Sequence, residues 1–283
     1  MTDFSKTQFY CSRIGQIMTD PPGKTPLQNW QDACKLLGEE MEKYSAMPDK
    51  NMKSAQNKWA KIEQVRAKIQ ELELTKDNEL LSDGCKSYLT NLYGWNKYKK
   101  WSAATGEGNN SGKKGVMVED DSILLINQLD GKSYKKNTEL MKNDFLIGIP
   151  DVITDDYVID VKSSWNMDTF IVGLTKELPD KYFWQIQGYM SLTGASKGEI
   201  SYCLISTPEA LILNEIEKSK ANGKEWTAEE IRTNLTFDDI PIEERRIKIV
   251  VERDDDAIAR FQKRMVACRE YLAEVEGLHF SMR

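Results

Sequence analysis

The spacing of apolar residues predicts helices in the first part of the chain. From Trp30 to Tyr44, apolar residues recur at steps of three and four, which is the period of a helix with one buried face. Thr25 can cap this helix, with a proline in its first turn. A second apolar stripe with the same period runs over residues 52–72. The two stripes predict a helical hairpin over residues 26–76.

Two further helical segments are predicted before the pattern changes. One begins near Ser82 and ends before residues 105–112, where glycine, asparagine and serine mark a connecting loop. The helical period then returns between Gly115 and Leu129. The first half of the chain is therefore predicted to be mainly helical.

An extended pattern begins at about Asp144. Residues 145–153 predict a strand with an irregular step at Pro150, and residues 157–162 predict its partner strand across a short turn. The remaining predicted elements are a helix at 180–193, a strand at 199–206, a charged helical excursion at 208–243, a strand at 246–251 and a helix at 256–275. Together these elements predict an α/β (α+β-like) fold with a central mixed sheet flanked by helices.

Composition narrows the possible functions. The chain has 283 residues, of which 40% are hydrophobic and 30% charged, as in an ordinary globular protein. Its net charge of -6 argues against a protein that coats nucleic acid non-specifically, but it is compatible with an enzyme that has a local basic groove. No apolar run approaches the length of a membrane span, and the N-terminus lacks the apolar run of a signal peptide. We therefore expect a cytoplasmic protein without a membrane partner.

Cysteine and histidine usage excludes several kinds of site. The five cysteines are widely spaced, odd in number and without a CxxC pair, which argues against a disulfide framework and against a zinc site. The single histidine, His279, lies near the C-terminus, which argues against most histidine-based catalytic and metal sites. Any hydrolysis must therefore use carboxylates, lysine and a metal ion.

One acidic and basic pair stands out in the strand predicted at 157–162. Asp160 and Lys162 are two residues apart, so their side chains project from the same face of the strand. Asp151 lies nine residues earlier, across the predicted hairpin, and can bring a second carboxylate to the same point. Two convergent carboxylates suit Mg²⁺ or Mn²⁺, which prefer oxygen ligands. The lysine would hold an attacking water or neutralise developing charge.

Three motifs in this region resemble a known nuclease signature. They are Gly148–Asp151, Ile159–Lys162 and Gln185–Tyr189, the last with the form Gln-x-x-x-Tyr. Their order is similar to that of the PD-(D/E)xK nuclease superfamily, in its RecB-like and lambda-exonuclease-like (YqaJ-type viral recombinase) branch. The resemblance covers residues 82–205 and 245–276. It implies one nuclease domain over the whole chain with a restriction-endonuclease-like core, to which the hairpin at 26–76 and the excursion at 208–243 are additions.

The resemblance also implies roles for individual residues. Two Mg²⁺ or Mn²⁺ ions would be held by Asp151, by Asp160, by the backbone carbonyl of Val161 and by a glutamate in a Gly-x-x-x-Glu motif, here Glu119. In the family, aspartate is an accepted alternative to the commoner glutamate at the position of Asp160. The implied catalytic residues are Asp151, Asp160, Lys162, Glu119, Gln185 and Tyr189.

Contacts to DNA are predicted at two places. Residues 95–101 interleave basic and aromatic side chains, which suits phosphate neutralisation and base stacking, and a surface helix end would show the same composition. Residues 12–13 fall where the family has a segment near the 5′-phosphate end of DNA. Lys113 and Lys114 are further candidates for backbone contact. The predicted DNA-binding residues are Ser12, Arg13, Lys97, Lys99, Lys100 and Trp101.

The function implied by the resemblance is a metal-dependent exonuclease acting on ends of linear double-stranded DNA. It would digest from 5′ to 3′ in phage or prophage recombination inside a bacterial host, as a homo-trimer and with a single-strand annealing recombinase as partner. Two alternatives stay open. One is an endonuclease or CRISPR-adaptation-like nuclease of the same superfamily, although the cysteines lack the clustering that an iron-sulfur cluster needs. The other is a non-catalytic protein that binds DNA ends.

Overall fold

The computed structural model describes residues 2–100, 110–223 and 226–281. In these residues the strands are β1 (Phe9–Tyr10), β2 (Met141–Lys142), β3 (Leu146–Gly148), β4 (Val152–Ile153), β5 (Tyr157–Ser163), β6 (Lys197–Cys203) and β7 (Arg246–Glu252). The α-helices are α1 (Ile14–Ile17), α2 (Pro26–Ser45), α3 (Lys53–Glu73), α4 (Asp83–Tyr98), α5 (Asn110–Met117), α6 (Glu119–Asp130), α7 (Met167–Thr175), α8 (Asp180–Thr193), α9 (Glu209–Ala221), α10 (Ala228–Leu235) and α11 (Asp255–Ser281).

Internal contacts divide the chain into two compact units, residues 19–86 and residues 1–18 with 87–283. In the first unit, α2 packs against α3. A capping box starts α2, because the Thr25 hydroxyl accepts the Gln28 N–H at 3.2 Å and the Gln28 side chain accepts the Thr25 N–H at 2.9 Å. Buried Glu40 of α2 pairs with Lys58 of α3 at 2.8 Å. The apolar period predicted these helices, but it could not predict an ion pair between them.

A four-stranded mixed sheet forms the centre of the second unit. Its order is β4-β5-β6-β7, in which β5 and β6 are parallel and the two outer pairings are antiparallel. Helix α6 packs on β5, and together with β4 and β6 they bury a core that contains Ile126, Val152, Ile159 and Cys203. Helix α8 packs on the other face of this sheet, where it contacts both β5 and β6. The predicted α/β (α+β-like) fold with a central mixed sheet is confirmed.

The strand predicted over 145–153 is instead two strands in two sheets. Strand β3 belongs to a three-stranded sheet of order β1-β3-β2, whereas β4 pairs with β5. Pro150 lies between them, and proline has no N–H to continue a hydrogen-bonded ladder. Asp151 is consequently placed where the chain passes from one sheet to the other.

Some helices also differ from the predicted pattern. The helix predicted from Gly115 to Leu129 is two helices, α5 and α6, interrupted at buried Val118. Helix α7 was not predicted, although Asn166 provides a capping box for it. No helix among the described residues has the length and hydropathy that a membrane span requires.

Candidate active site

Strand β5 carries the central residues of the candidate site. Alternation along this strand puts Asp160 and Lys162 on one face, while Ile159 is completely buried on the other. The antiparallel pairing of Val152 with Ile159 brings the residue before β4, Asp151, beside them. Its carboxylate accepts the N–H of Val161 at 2.6 Å. The three motif residues Asp151, Asp160 and Lys162 therefore come together.

The ammonium group of Lys162 is held by three neighbours. It lies 2.6 Å from a carboxylate oxygen of Asp160, and it donates a hydrogen bond to the amide oxygen of Gln185 at 3.2 Å. The ring of Tyr182 faces it at 4.7 Å. These contacts fix the position of the charge at the floor of the site.

Helix α8 supplies the second half of the site. Gln185 and Tyr189 lie four residues apart and share one face of this helix. The Gln185 amide donates to the second Asp160 oxygen at 3.0 Å and to the Tyr189 hydroxyl at 3.2 Å. One amide thus contacts the acid, the lysine and the tyrosine of the predicted site.

Burial controls the protonation of these groups. It raises the pKa of Asp151 to about 8, with a further contribution from the Asp160 charge. Burial also raises the pKa of Asp160, although Lys162 opposes that shift. Burial alone would lower the pKa of Lys162, but the two aspartates together raise it above its ordinary value. Lys162 alone therefore does not compensate the negative charges that Asp151 and Asp160 carry when both are ionised.

This donor set fits a hard divalent cation. Asp151 and Asp160 offer carboxylate oxygens, and their raised pKa values show that an additional positive charge would be stabilising there. Among the described residues, no three histidine, cysteine, aspartate or glutamate side chains converge into a ready metal cage. Water, phosphate oxygens and backbone carbonyls would have to complete the coordination, as Mg²⁺ commonly requires.

Glu119 lies at the rim of the same cleft. It starts α6, and its carboxylate pairs with Lys136 at 3.2 Å, while Lys136 also contacts Asp120 at 3.0 Å. The charge of Glu119 nevertheless contributes to the raised pKa of Asp151. Glu119 is therefore close to the two aspartates but has a lysine as its direct partner.

The site opens into a cleft of about 560 Å³. Sequence reasoning did not identify Tyr182 or Tyr202, which also line it. Tyr182 precedes Gln185 by three residues, so the helical period of the Gln-x-x-x-Tyr motif could have indicated it. Nothing in the local sequence of Tyr202 could have done so, because it reaches the cleft from the parallel neighbour of β5.

The prediction that Lys114 contacts the DNA backbone is wrong, because its side chain lies inside the protein. It is completely buried, and its ammonium donates to the carbonyls of Ser164 at 2.6 Å and Trp165 at 3.3 Å. The ring of Phe237 lies 5.0 Å away. Burial lowers the pKa of Lys114 to about 7. Lys114 therefore fixes the segment that follows β5 and cannot reach a DNA backbone.

The other predicted DNA contacts that the structure describes lie away from the cleft lining. The Lys97 side chain is only 13% exposed and pairs with Glu276, so its charge is used inside the protein. Lys99 and Lys100 are exposed just after α4. Trp101 lies outside the described residues.

The N-terminal candidates lie in a short 3₁₀ turn between β1 and α1. Ser12 is exposed and Arg13 is half-buried. Neither lines the cleft described above. Their predicted contact with a DNA end stays a prediction.

Solved structures show where this fold occurs. A phage-related exonuclease from Haemophilus somnus 129PT matches over 97% of each chain, with a TM-score of 0.65 and 21% identity. An alkaline exonuclease from Laribacter hongkongensis matches 73% of this chain and 89% of its own, with a TM-score of 0.51 and 17% identity. No protein-family model and no curated protein matches the chain. The chain has the fold of these exonucleases, which confirms at the level of fold the lambda-exonuclease-like resemblance.

Proposed function

We propose that this protein is a metal-dependent DNA exonuclease. The observation that carries the proposal is the meeting of Asp151, Asp160 and Lys162 in one cleft, held together by Gln185. The exonuclease fold supports the same activity. The alkaline exonuclease of that fold has also been solved in complex with dAMP, a deoxynucleotide. That complex supports DNA as the substrate class.

Each residue has a chemical task in this proposal. Asp151 and Asp160 would hold Mg²⁺ or Mn²⁺, with Glu119 and the Val161 carbonyl as further candidates. When bound, the metal would polarise the scissile phosphate and acidify a water molecule. Lys162 keeps its proton beside Asp160 and can donate to the attacking water or to the charge that develops on phosphate.

Gln185 and Tyr189 position these groups. The Gln185 amide fixes the Asp160 carboxylate and accepts from Lys162, so that neither can turn away from the cleft. Burial raises the pKa of Tyr189 far above its ordinary value, which keeps the phenol neutral as a hydrogen-bond donor. Neither residue needs to exchange a proton with substrate.

The test compares linear duplex DNA, labelled at its 5′ or 3′ ends, with covalently closed duplex DNA. Wild type is expected to degrade only the linear forms, and only with Mg²⁺ or Mn²⁺. Lys162→Ala and Asp160→Asn should each lower the rate by about 10²–10³-fold or more while DNA binding persists. The control is Lys197→Ala, whose side chain is 53% exposed outside the cleft. Inactivity of wild type with every metal, with DNA binding retained, would support the non-catalytic alternative.

The finer features of the proposal come from the resemblance. They are digestion from 5′ to 3′, a cytoplasmic role in phage or prophage recombination, a homo-trimer and a partnership with a single-strand annealing recombinase. The order in which the two labels are released gives the polarity. Cutting of closed circles would instead favour the endonuclease alternative.

A further inference from the structure

A second cavity of about 410 Å³ adjoins the candidate active site. Helices α7, α9 and α10 build it, so most of its wall comes from the excursion predicted at 208–243. Trp165 lines both this cavity and the cleft. The two cavities are therefore neighbours on either side of one indole.

The walls of this cavity combine aromatic and amide groups. Trp165 is half-buried and packs against the apolar core of α9 and α10, whereas Trp226 is 57% exposed. Indole faces are the surfaces on which nucleobases stack. Three asparagines also line the cavity, but Asn166 accepts a backbone N–H and Asn234 donates to a backbone carbonyl, so part of each of these two amides is already used. The amide of Asn222 offers a donor together with an acceptor, as the edge of a base does.

A buried hydroxyl in the same wall lacks a hydrogen-bond partner in the part of the chain that the structure describes. Ser219 is only 7% exposed, and its oxygen makes no hydrogen bond to any described residue. A buried hydroxyl without a partner is costly, because its lost hydrogen bonds to water are not replaced. The oxygen is shielded from the cavity in this conformation, and rotation about the Ser219 Cα–Cβ bond would let a polar ligand in the cavity satisfy it.

The charges of the cavity favour a neutral ligand group over a phosphate. Among the described residues, the lining contains one basic residue, Lys218, against two acidic residues, Asp168 and Glu215. Glu215 accepts a hydrogen bond from Asn110 at 2.8 Å, which fixes its carboxylate. A phosphate would meet net negative charge here, whereas an uncharged base would not.

We infer that this cavity is a subsite for one unpaired nucleobase. The inference rests on the proposed function, since it takes DNA as the substrate in the adjoining cleft. The base belongs either to a DNA strand that leaves the cleft or to a released mononucleotide, and both present the same aromatic face and polar edge. Stacking on Trp226 and a hydrogen bond to Ser219 recognise it.

Binding measurements on Asp160→Asn in chelator test this subsite without any cleavage. The probe is a labelled single strand of about eight nucleotides. A twin strand of the same length lacks the base at one position. Adding Trp226→Ala should weaken binding of the complete strand about tenfold. Adding Ser219→Ala should weaken it severalfold without lowering the thermal stability of the free protein. Leu213→Ala, an exposed apolar change on α9 outside the cavity, is the control and should leave binding unchanged.

Two competitors identify the group that is recognised. Displacement of the strand by dAMP, but not by deoxyribose 5-phosphate, supports a base site that a free mononucleotide can occupy. If neither displaces it and the base-free twin binds less tightly than the complete strand, the occupant is a base within the strand.

Equal affinities of the parent protein and the Trp226→Ala variant for the complete strand would overturn the inference. Equal displacement by the two competitors would overturn it as well, because a phosphate and not a base would then be recognised. If Trp226→Ala weakens strand binding but the wild-type protein cuts no DNA with any metal ion, the result contradicts the proposed function and not the base subsite.

Discussion

At the scale of single residues, the candidate site places two negatively charged groups close together. Asp160 is buried and Asp151 is half-buried; burial and the Asp160 charge raise the pKa of Asp151, and the Lys162 ammonium lies 2.6 Å from Asp160. Such crowding costs folding free energy but prepares the site for a cation. The cost should be measurable in the protein without metal.

Asp151→Asn should change how stability depends on pH. The folded pKa of about 8 exceeds the ordinary 3.8, so between these values the folded chain holds a proton that the unfolded chain releases. The wild-type free energy of unfolding should therefore fall as pH rises through this window, by at most about 1.4 kcal/mol per pH unit. Asp151→Asn should flatten the decline. Urea titrations in chelator measure it, and equal slopes in both proteins would contradict the expected protonation of Asp151.

Lys114 should give the opposite slope at higher pH. Its folded pKa of about 7 lies below the ordinary 10.5, so in this window the unfolded chain binds the extra proton. The free energy of unfolding that this residue contributes should therefore rise with pH between about 7 and about 10. Lys114→Met should remove that rise, although it also loses the bonds to Ser164 and Trp165. The comparison is the slope of urea-derived stabilities, with Lys113→Met as the matched surface control.

The sequence predicted only part of this chemistry. Alternation along β5 is a local property, so the shared face of Asp160 and Lys162 followed from their spacing. The pairing of Glu119 with Lys136 and the burial of Lys114 depend on residues distant in sequence. No local pattern distinguishes a buried lysine from an exposed one.

At the scale of elements, α8 was predicted at 180–193 and occupies those residues. Helix α7 was missed, because its apolar residues include the exposed Met167, Ile171 and Leu174 and so mark no buried stripe. Strands β1 and β2 have two residues each, too few to show an alternating period. Long elements with one buried face were therefore predictable, whereas short or unusually exposed ones were not.

Gly188→Ala tests the close packing of α8. A Cβ atom at this position would lie 2.4 Å from the Ile14 side chain and 3.2 Å from the Cys11 sulfur. We expect a loss of roughly 1–3 kcal/mol from overpacking. The control is Gly38→Ala in α2, where a Cβ atom meets no other atom within 4 Å. That change should stabilise by about 0.5–1 kcal/mol, because alanine favours helix. Equal unfolding midpoints of the two variants would argue against this packing.

At the scale of the whole molecule, the site depends on the way two sheets share one segment of chain. Pro150 separates β3 from β4, and Asp151 follows at the point of transition. The motif predicted that Asp151 would approach Asp160. It did not predict the three-stranded sheet, because the partners of β3 come from residues far apart in the chain.

Metal binding should stabilise the folded chain as a whole. A cation that binds the folded state and not the unfolded state raises the melting temperature, and 100-fold excess over Kd adds about 2.7 kcal/mol. Mg²⁺ or Mn²⁺ should therefore raise the Tm of wild type, and chelator should reverse the change. Asp151→Asn and Asp160→Asn should show little or no increase. A metal-induced increase of the same size in all three proteins would place the ion elsewhere.

Helix α8 is enclosed along its centre, where six consecutive residues from 185 to 190 are all buried. One side of it holds the candidate site through Gln185, while Gln187 donates to the Glu252 carbonyl at 2.8 Å and accepts the Asp254 N–H at 2.9 Å. A buried stretch of helix leaves few positions at which a substitution would be neutral. Across distant relatives this hexapeptide should diverge more slowly than the rest of the chain, and so preserve ancestry where overall identity has been lost.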